Sequence, residues 1–318
     1  MSRTGTYASG CRGSNSARPP RDQDQVFVDS IPGSFYDVQV VSFKDLRLQD
    51  GRALRVHDSA EGSAPEAFTV LWHHGSPQTG ALLEPLLSSA AERGIRLLSY
   101  GRPSYGGSSP RPGRNVASAA SDVEQIADAF GIARFAVMGA SGGGPHALAC
   151  AALLPALVTG VACLAGLAPF DADGIDWFGG MASDGAALRA AVVGRQAREL
   201  YEATEEFDPE SFTERDYAAL AGAWSSLGAD VGLASAAGAD GLIDDDLAFV
   251  APWGFNVTEI TAPVLLVQGG QDRVVPPAHA DWLLHHCRRS ELWFRPGDGH
   301  LSILDACPLA MDWLRAHP

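Results

Sequence analysis

Gly139-Ala140-Ser141-Gly142-Gly143 constrains this chain more than any other stretch. An apolar, β-prone run, Phe135-Ala136-Val137-Met138, precedes it. Gly144-Pro145-His146 and then the helix-forming run Ala147 to Leu154 follow it. The pattern is strand, sharp turn, helix, with a serine at the apex. So tight a turn crowds the serine's backbone, and only small residues fit at its flanks. Gly139 and Gly143 supply them at the spacing of a G-x-S-x-G nucleophile elbow. The Ser141 hydroxyl then stands clear of the strand at a helix N-terminus, and the NH of Gly142 faces the place where an oxyanion would develop. Five-residue matches of this kind also arise by chance, as a glycine-rich turn with an incidental serine. Partners elsewhere in the chain decide between the two.

Composition narrows the classes. The chain has 318 residues and is 46% hydrophobic, enough for a large buried core. Its net charge of −15, with only 23 Lys and Arg, argues against nucleic acid and against an anionic membrane surface as partners. Five cysteines, Cys11, Cys150, Cys163, Cys287 and Cys307, form an odd, scattered set without C-x-x-C, as expected of reduced thiols in the cytoplasm. The N-terminus carries arginines but no apolar core segment, so no signal peptide is expected. Residues 147–170 carry no charge and are long enough for a membrane span. Pro155, Gly160, Gly166 and Pro169 interrupt them. They read instead as the helix after the elbow, a turn at Pro155-Ala156 and a buried strand over 157–164.

Residues 1–25 are Ser/Arg/Gly/Pro-rich and are expected to be a disordered tail. Residues 38–48 alternate as a strand, Asp50-Gly51 signals a hairpin turn, and 53–57 read as the return strand. Further strands are expected at 68–72, 95–100, 135–138, 157–164, 264–268 and 291–294. Helices are expected at 80–93, from Asn115 or Ser118 to about Phe130, at 277–287 and at 302–315. The alternation means a mostly parallel sheet flanked by helices, an α/β fold. The rhythm breaks after Phe170 and resumes at Pro263. Between them lie helical patches at 186–203 and 214–227. The expected organisation is a core of 26–170 and 261–318, with 171–260 as a helical cap or lid.

A serine nucleophile needs a base, and the base needs an orienting carboxylate. In an open parallel sheet both come from loops at the strands' C-terminal ends. Asp272, in Gln268-Gly269-Gly270-Gln271-Asp272, and His300, in Gly297-Asp298-Gly299-His300, sit in such loops. Their order along the chain, Ser, Asp, His, is the one expected of this elbow. Over roughly residues 38–315 the sequence therefore resembles the α/β-hydrolase family, in its serine-nucleophile, cap-bearing form. Five elements carry the resemblance: His74-Gly75-Ser76-Pro77, the loop Arg102 to Ser108, the elbow, the Asp272 loop and the Gly299-His300 loop. The resemblance implies a cap inserted after the sixth strand. It also implies a second oxyanion donor, the NH of Ser76, opposite that of Gly142. The chain departs from relatives in having Gly101 where Asp often begins the loop, which removes a local ion pair. It lacks the H-G-G-P-G run and the elbow Trp of proline iminopeptidases. Ser141 argues against the Asp-nucleophile dehalogenases and epoxide hydrolases.

Competing readings exist for several residues. Asp171 or Asp173, after the sixth strand, could replace Asp272 as the acid. Asp298 reads as solvated, His73 and His74 as structural, and His146 as packed beneath the elbow helix. Trp177, Trp224 and Trp253 could line a pocket or only pack the cap. Glu202, Glu205 and Glu206 read as a solvated helix face. No dinucleotide fingerprint or metal-ligand cluster is present, and no G-K-[ST] follows Gly142-Gly143-Gly144, so no cofactor or metal is implied. The expected function is hydrolysis of an ester-type bond (ester, lactone, thioester or amide) in a small organic substrate. A C–C bond hydrolase, or a lyase, cyclase or acyltransferase, would use the same three residues. A ligand receptor on this fold is the alternative of another class.

Overall fold

The structure is a computed structural model and describes residues 42–59 and 67–317. The expected tail at 1–25 and the start of the strand at Val38 lie outside the described residues. Eight strands form one sheet: β1 (Ser42–Arg47), β2 (Ala53–Asp58), β3 (Thr69–His73), β4 (Arg96–Tyr100), β5 (Phe135–Ala140), β6 (Val158–Leu164), β7 (Val264–Gly269) and β8 (Ser290–Arg295). Their spatial order is β1-β2-β4-β3-β5-β6-β7-β8. The β1–β2 and β2–β4 pairs are antiparallel and the remaining pairs are parallel.

Period-two alternation divides the apolar strand residues between two cores. Leu71, Leu98, Phe135, Val137, Val161, Cys163 and Leu266 face one side, under α2 (Ser118–Ala129), α3 (Gly143–Leu153) and α9 (Pro277–His286). Val70, Trp72, Leu97, Ala136, Met138, Leu164 and Val267 face the other, under α1 (Glu84–Glu92) and α10 (Cys307–Ala316). Because helices cover both faces, β3, β5 and β7 are buried throughout, and their sequences run apolar apart from Thr69, His73 and Gln268 near the strand ends. Removing one such side chain, as in Leu71→Ala on β3, costs about 2–5 kcal/mol. α2 places Ala119, Ala120, Val123, Ile126 and Ala127 on its buried face, at the three- and four-residue spacing of a helix.

Five α-helices lie between β6 and β7: α4 (Ala186–Val193), α5 (Arg195–Glu202), α6 (Glu214–Ala221), α7 (Ser225–Ala236) and α8 (Asp240–Phe249). They differ from the sequence expectation in three places. The helix expected over 186–203 breaks at Gly194, whose φ of 130° no helix accommodates. The helix expected over 214–227 stops at Gly222, where φ −115° and ψ −119° leave the helical region, and α7 starts afresh. α8 was not expected, because its three consecutive aspartates obscure the apolar face. The last helix also opens differently: Ser302–Ala306 is a 3-10 turn, and α10 begins at Cys307 with proline in its first turn. Among the described residues no helix is long and apolar enough to cross a membrane.

Candidate active site

The elbow takes its form from contact between backbones. A Cβ at Gly139 would run into the carbonyl of Gly143, and one at Gly143 into the carbonyl of His73 on β3. Both positions therefore need glycine. Between them Ser141 has φ 52°, a left-handed conformation that costs a non-glycine residue roughly 1–3 kcal/mol. The surrounding ladder holds it there: Ser141 NH donates to Leu164 O, and Gly144 NH to Ser141 O, each at 2.9 Å. α3 starts two residues later, so the Ser141 hydroxyl stands at a helix N-terminus.

His300 comes from the loop after β8 and Asp272 from the loop after β7. His300 Nε2 lies 2.9 Å from Ser141 Oγ, and Nδ1 lies 2.8 Å from Asp272 Oδ2. Asp272 Oδ1 accepts from the NH groups of Val274 and Val275 at 2.9 and 2.8 Å, which aims Oδ2 at the ring. The carboxylate can only accept, so Nδ1 carries the proton and Nε2 presents a lone pair to the serine. Burial pulls the His300 pKa down, but Asp272, with a smaller contribution from Asp216, more than offsets it; the net shift is upward from 6.5. The carboxylate on His300 is thus Asp272. Asp171 and Asp173 instead line a separate surface cleft with Trp253, Trp282 and His286.

The Gly75-Ser76 loop after β3 faces the elbow. A Cβ at Gly142 would strike the Ser76 hydroxyl, so the two residues touch across the site. The Ser76 hydroxyl donates to Asp245 of α8 and accepts from Arg102 Nη2 at 2.9 Å. Arg102 also donates to the carbonyls of His74 and Gly75. Although Gly101 offers Arg102 no local carboxylate, Asp245 pairs with it at 2.7 Å from far along the chain. Asp245 pairs with Arg114 at 2.7 Å as well, and accepts from the Tyr105 hydroxyl at 2.9 Å. Burial alone would raise the Asp245 pKa; Arg102 and Arg114 hold it well below the usual carboxylate range. Burial, reinforced by neighbouring charge, lowers His73 and His74 well below 6.5 and His146 to about 3, so all three rings are neutral. His74 Nε2 accepts from Arg102 NH at 3.1 Å, and His146 Nδ1 meets Gly142 O at 2.7 Å. They brace the site.

A cavity of about 360 Å³ opens above Ser141 and His300. Phe212, Leu220, Trp224, Leu227 and Val231 wall it from the side of α6 and α7, Trp72 from β3, and Leu83 from the start of α1. None of its lining residues is Asp, Glu, Lys or Arg, despite the net charge of −15. Trp224 is the one of the three singled-out tryptophans that lines it, with its indole NH on Asp305 at 2.9 Å. The indole of Trp177 donates to Ala168 O and that of Trp253 to Phe249 O, both within packed aromatic groups. Among the described residues no group of three His, Cys, Asp or Glu could hold a metal ion.

Sequence reasoning missed Asp245 and Asp216. The acidic triplet Asp244-Asp245-Asp246, set inside Ile243 and Leu247-Ala248-Phe249, was the available signal for the first. Thr213-x-x-Asp216, a capping-box spacing, was the signal for the second.

A sequence profile of the α/β hydrolase fold matches residues 69–306. The chain belongs to the α/β-hydrolase family. A search of the curated proteins found no match. Among solved structures, a hydrolase from Pseudomonas aeruginosa PA01 superposes with a TM-score of 0.65 at 20% identity, covering 86% of this chain and 96% of that one. A thermophilic esterase from Thermogutta terrifontis gives 0.65 at 18% identity, over 87% of this chain and 99% of its own. The enol-lactonase from Burkholderia xenovorans LB400 gives 0.63 at 18%, over 84% and 98%. At these identities the likeness is one of fold.

Proposed function

We propose that this protein is a serine hydrolase that cleaves an ester-type bond of a small, uncharged substrate with an apolar acyl group. The observation that carries this reading is the hydrogen-bonded chain from Ser141 Oγ through His300 to Asp272 at the floor of an uncharged cavity. Ser141 attacks the carbonyl carbon while His300 Nε2 takes its proton. Asp272 holds the tautomer and stabilises the imidazolium. The NH groups of Gly142 and Ser76 receive the oxyanion, and each such donor is worth about 10²–10³ in kcat. His300 then protonates the leaving group, and water, activated by the same ring, releases the acid from the acyl-enzyme. The inserted helices act as a lid that selects the acyl group, and the free buried thiols fit a reducing, cytoplasmic setting.

The test is turnover of a p-nitrophenyl ester series, with phosphonate labelling read by mass spectrometry. Ser141→Ala should fold and lose nearly all turnover, and the label should sit on Ser141. Asp272→Asn should lower kcat by roughly 10⁴. Full activity in Ser141→Ala would remove the covalent mechanism. Phosphonate labelling of Ser141 without ester turnover would favour a receptor.

A further inference from the structure

We propose that Asp216, on α6, is a positioning residue for His300: its carboxylate grips the backbone after the imidazole directly and the backbone before it through the Ser302 hydroxyl. The proposal rests on the reading of His300 as the base. Asp216 is fully buried, at 0% exposure. Its Oδ1 accepts from the NH of Leu301 at 2.9 Å, the NH of Ser302 at 2.7 Å and the Ser302 hydroxyl at 2.8 Å. That hydroxyl in turn accepts from the NH of Gly299 at 2.8 Å. Residues 299, 301 and 302 thus converge on one carboxylate, and His300 stands between them. The approach is so close that a Cβ at Gly299 would run into the carboxylate.

Helix capping alone does not call for this arrangement. Asp216 Oδ2 accepts from the Thr213 NH and hydroxyl, each at 2.9 Å, and completes the capping box that starts α6. The bonds on Oδ1 all run out of α6 to the histidine loop. The preceding residue repeats the link, since Arg215 pairs with Asp298 at 2.8 Å. The first turn of α6 therefore holds residues 298–302 at both ends, while Leu220 near its C-terminus faces the cavity. The wall that meets the substrate and the clamp on the base belong to one helix.

Asp216 also acts on the ring through its charge. The groups acting on His300 are Asp272 from the loop after β7, Ser141 from the elbow and Asp216 from α6. Asp298 is already paired with Arg215 and Arg295. Burial lowers the imidazole's affinity for a proton, and Asp272 and then Asp216 raise it. Removing the charge of Asp216 while keeping its shape moves the titration downward.

The experiment pairs two measurements. Proton NMR of His300 in the Ser141→Ala protein, with and without Asp216→Asn, reads the titration without needing turnover. Ester hydrolysis against pH reads the same change in the active protein. Asp216→Asn should lower the pH at which His300 titrates and shift the acid limb of kcat/KM the same way. Asp216→Ala should lower kcat roughly 10²-fold with little change in KM, as misplacement of a catalytic group does. A folded Asp216→Asn protein with unchanged titration and unchanged kcat would overturn the proposal and leave Asp216 a structural cap. If neither Asp216 variant folds, Ser302→Ala decides, because it cuts the Gly299 link and leaves α6 whole. It should lower kcat several-fold at constant KM, and an unchanged kcat overturns the proposal. Should Ser141→Ala retain full turnover, the hydrolase reading fails, and the NMR titration still reports the effect of Asp216 on His300.

Discussion

α8 and the α6–α7 pair both lie between β6 and β7, yet they meet the rest of the molecule in opposite ways. α8 buries Ile243, Ala248, Phe249 and all three of its consecutive aspartates. Asp245 meets Arg102 and Arg114 behind the Ser76 loop, and Asp246 pairs with Arg198 at 2.6 Å. α6 and α7 turn one face to the cavity and leave the other in solvent, with Tyr217 41% and Leu233 66% exposed. The segment between β6 and β7 is therefore not one unit in space. α8 is wedged into the body by charge and apolar contact together, whereas α6–α7 touch it through the cavity wall, the clasp on the His300 loop and Asp230 of α7, which accepts from the Thr79 NH at 3.1 Å.

The sharpest way to break this comparison is Asp245→Ala. It leaves Arg102 and Arg114, 1% and 2% exposed, without their carboxylate. Removing one member of a buried ion network costs about 3–5 kcal/mol, read as a fall in the urea midpoint. A cost below about 1 kcal/mol, the range of surface pairs, would place α8 with the loosely held helices.

Trp224→Ala tests the other side. It enlarges the cavity wall, so the ratio of kcat/KM for a bulky over a short acyl ester should rise by about tenfold, in the range that fitting or rejecting a methylene commands. An unchanged ratio would show that α7 is not the selecting wall.

The pH profile comes next. The neutral ring is the base, and its pKa is raised above 6.5, so kcat/KM should climb with pH through a value above 6.5. The stability linkage runs the other way. A raised folded pKa contributes stability that is fully present below the unfolded value and is lost as pH rises through the folded value. Activity should therefore increase over the window in which His300 ceases to stabilise the fold. A limb at or below 6.5 would mean that burial outweighs the two carboxylates. The smallest effect belongs to Leu233→Ser on the exposed face of α7, which should shift stability by no more than about 0.5 kcal/mol.

The legible part of the molecule was the part written locally. The strands announce the sheet because each carries its apolar pattern within five to seven residues. Ser141, Asp272 and His300 each close a strand in a short loop with its own glycine signature, and these are the side chains the structure brings within hydrogen-bond distance. Asp245 and Asp216 were hidden because their partners are remote: Arg102 is 143 residues from Asp245, and Leu301 is 85 from Asp216. A buried aspartate in a helix looks like a solvated one until its arginine or amide partners are known. The breaks at Gly194 and Gly222 were missed because glycine inside a helical pattern is tolerated often enough to be ambiguous.

The cavity wall also carries its own light source. Of seven tryptophans, Trp72 and Trp224 line the space above Ser141, and the other five stand elsewhere. An apolar occupant displaces water from those two indoles alone. Its arrival is therefore readable as a change in emission from the unlabelled protein, before any bond is cleaved. Replacing Trp224 with phenylalanine divides that signal between its two sources.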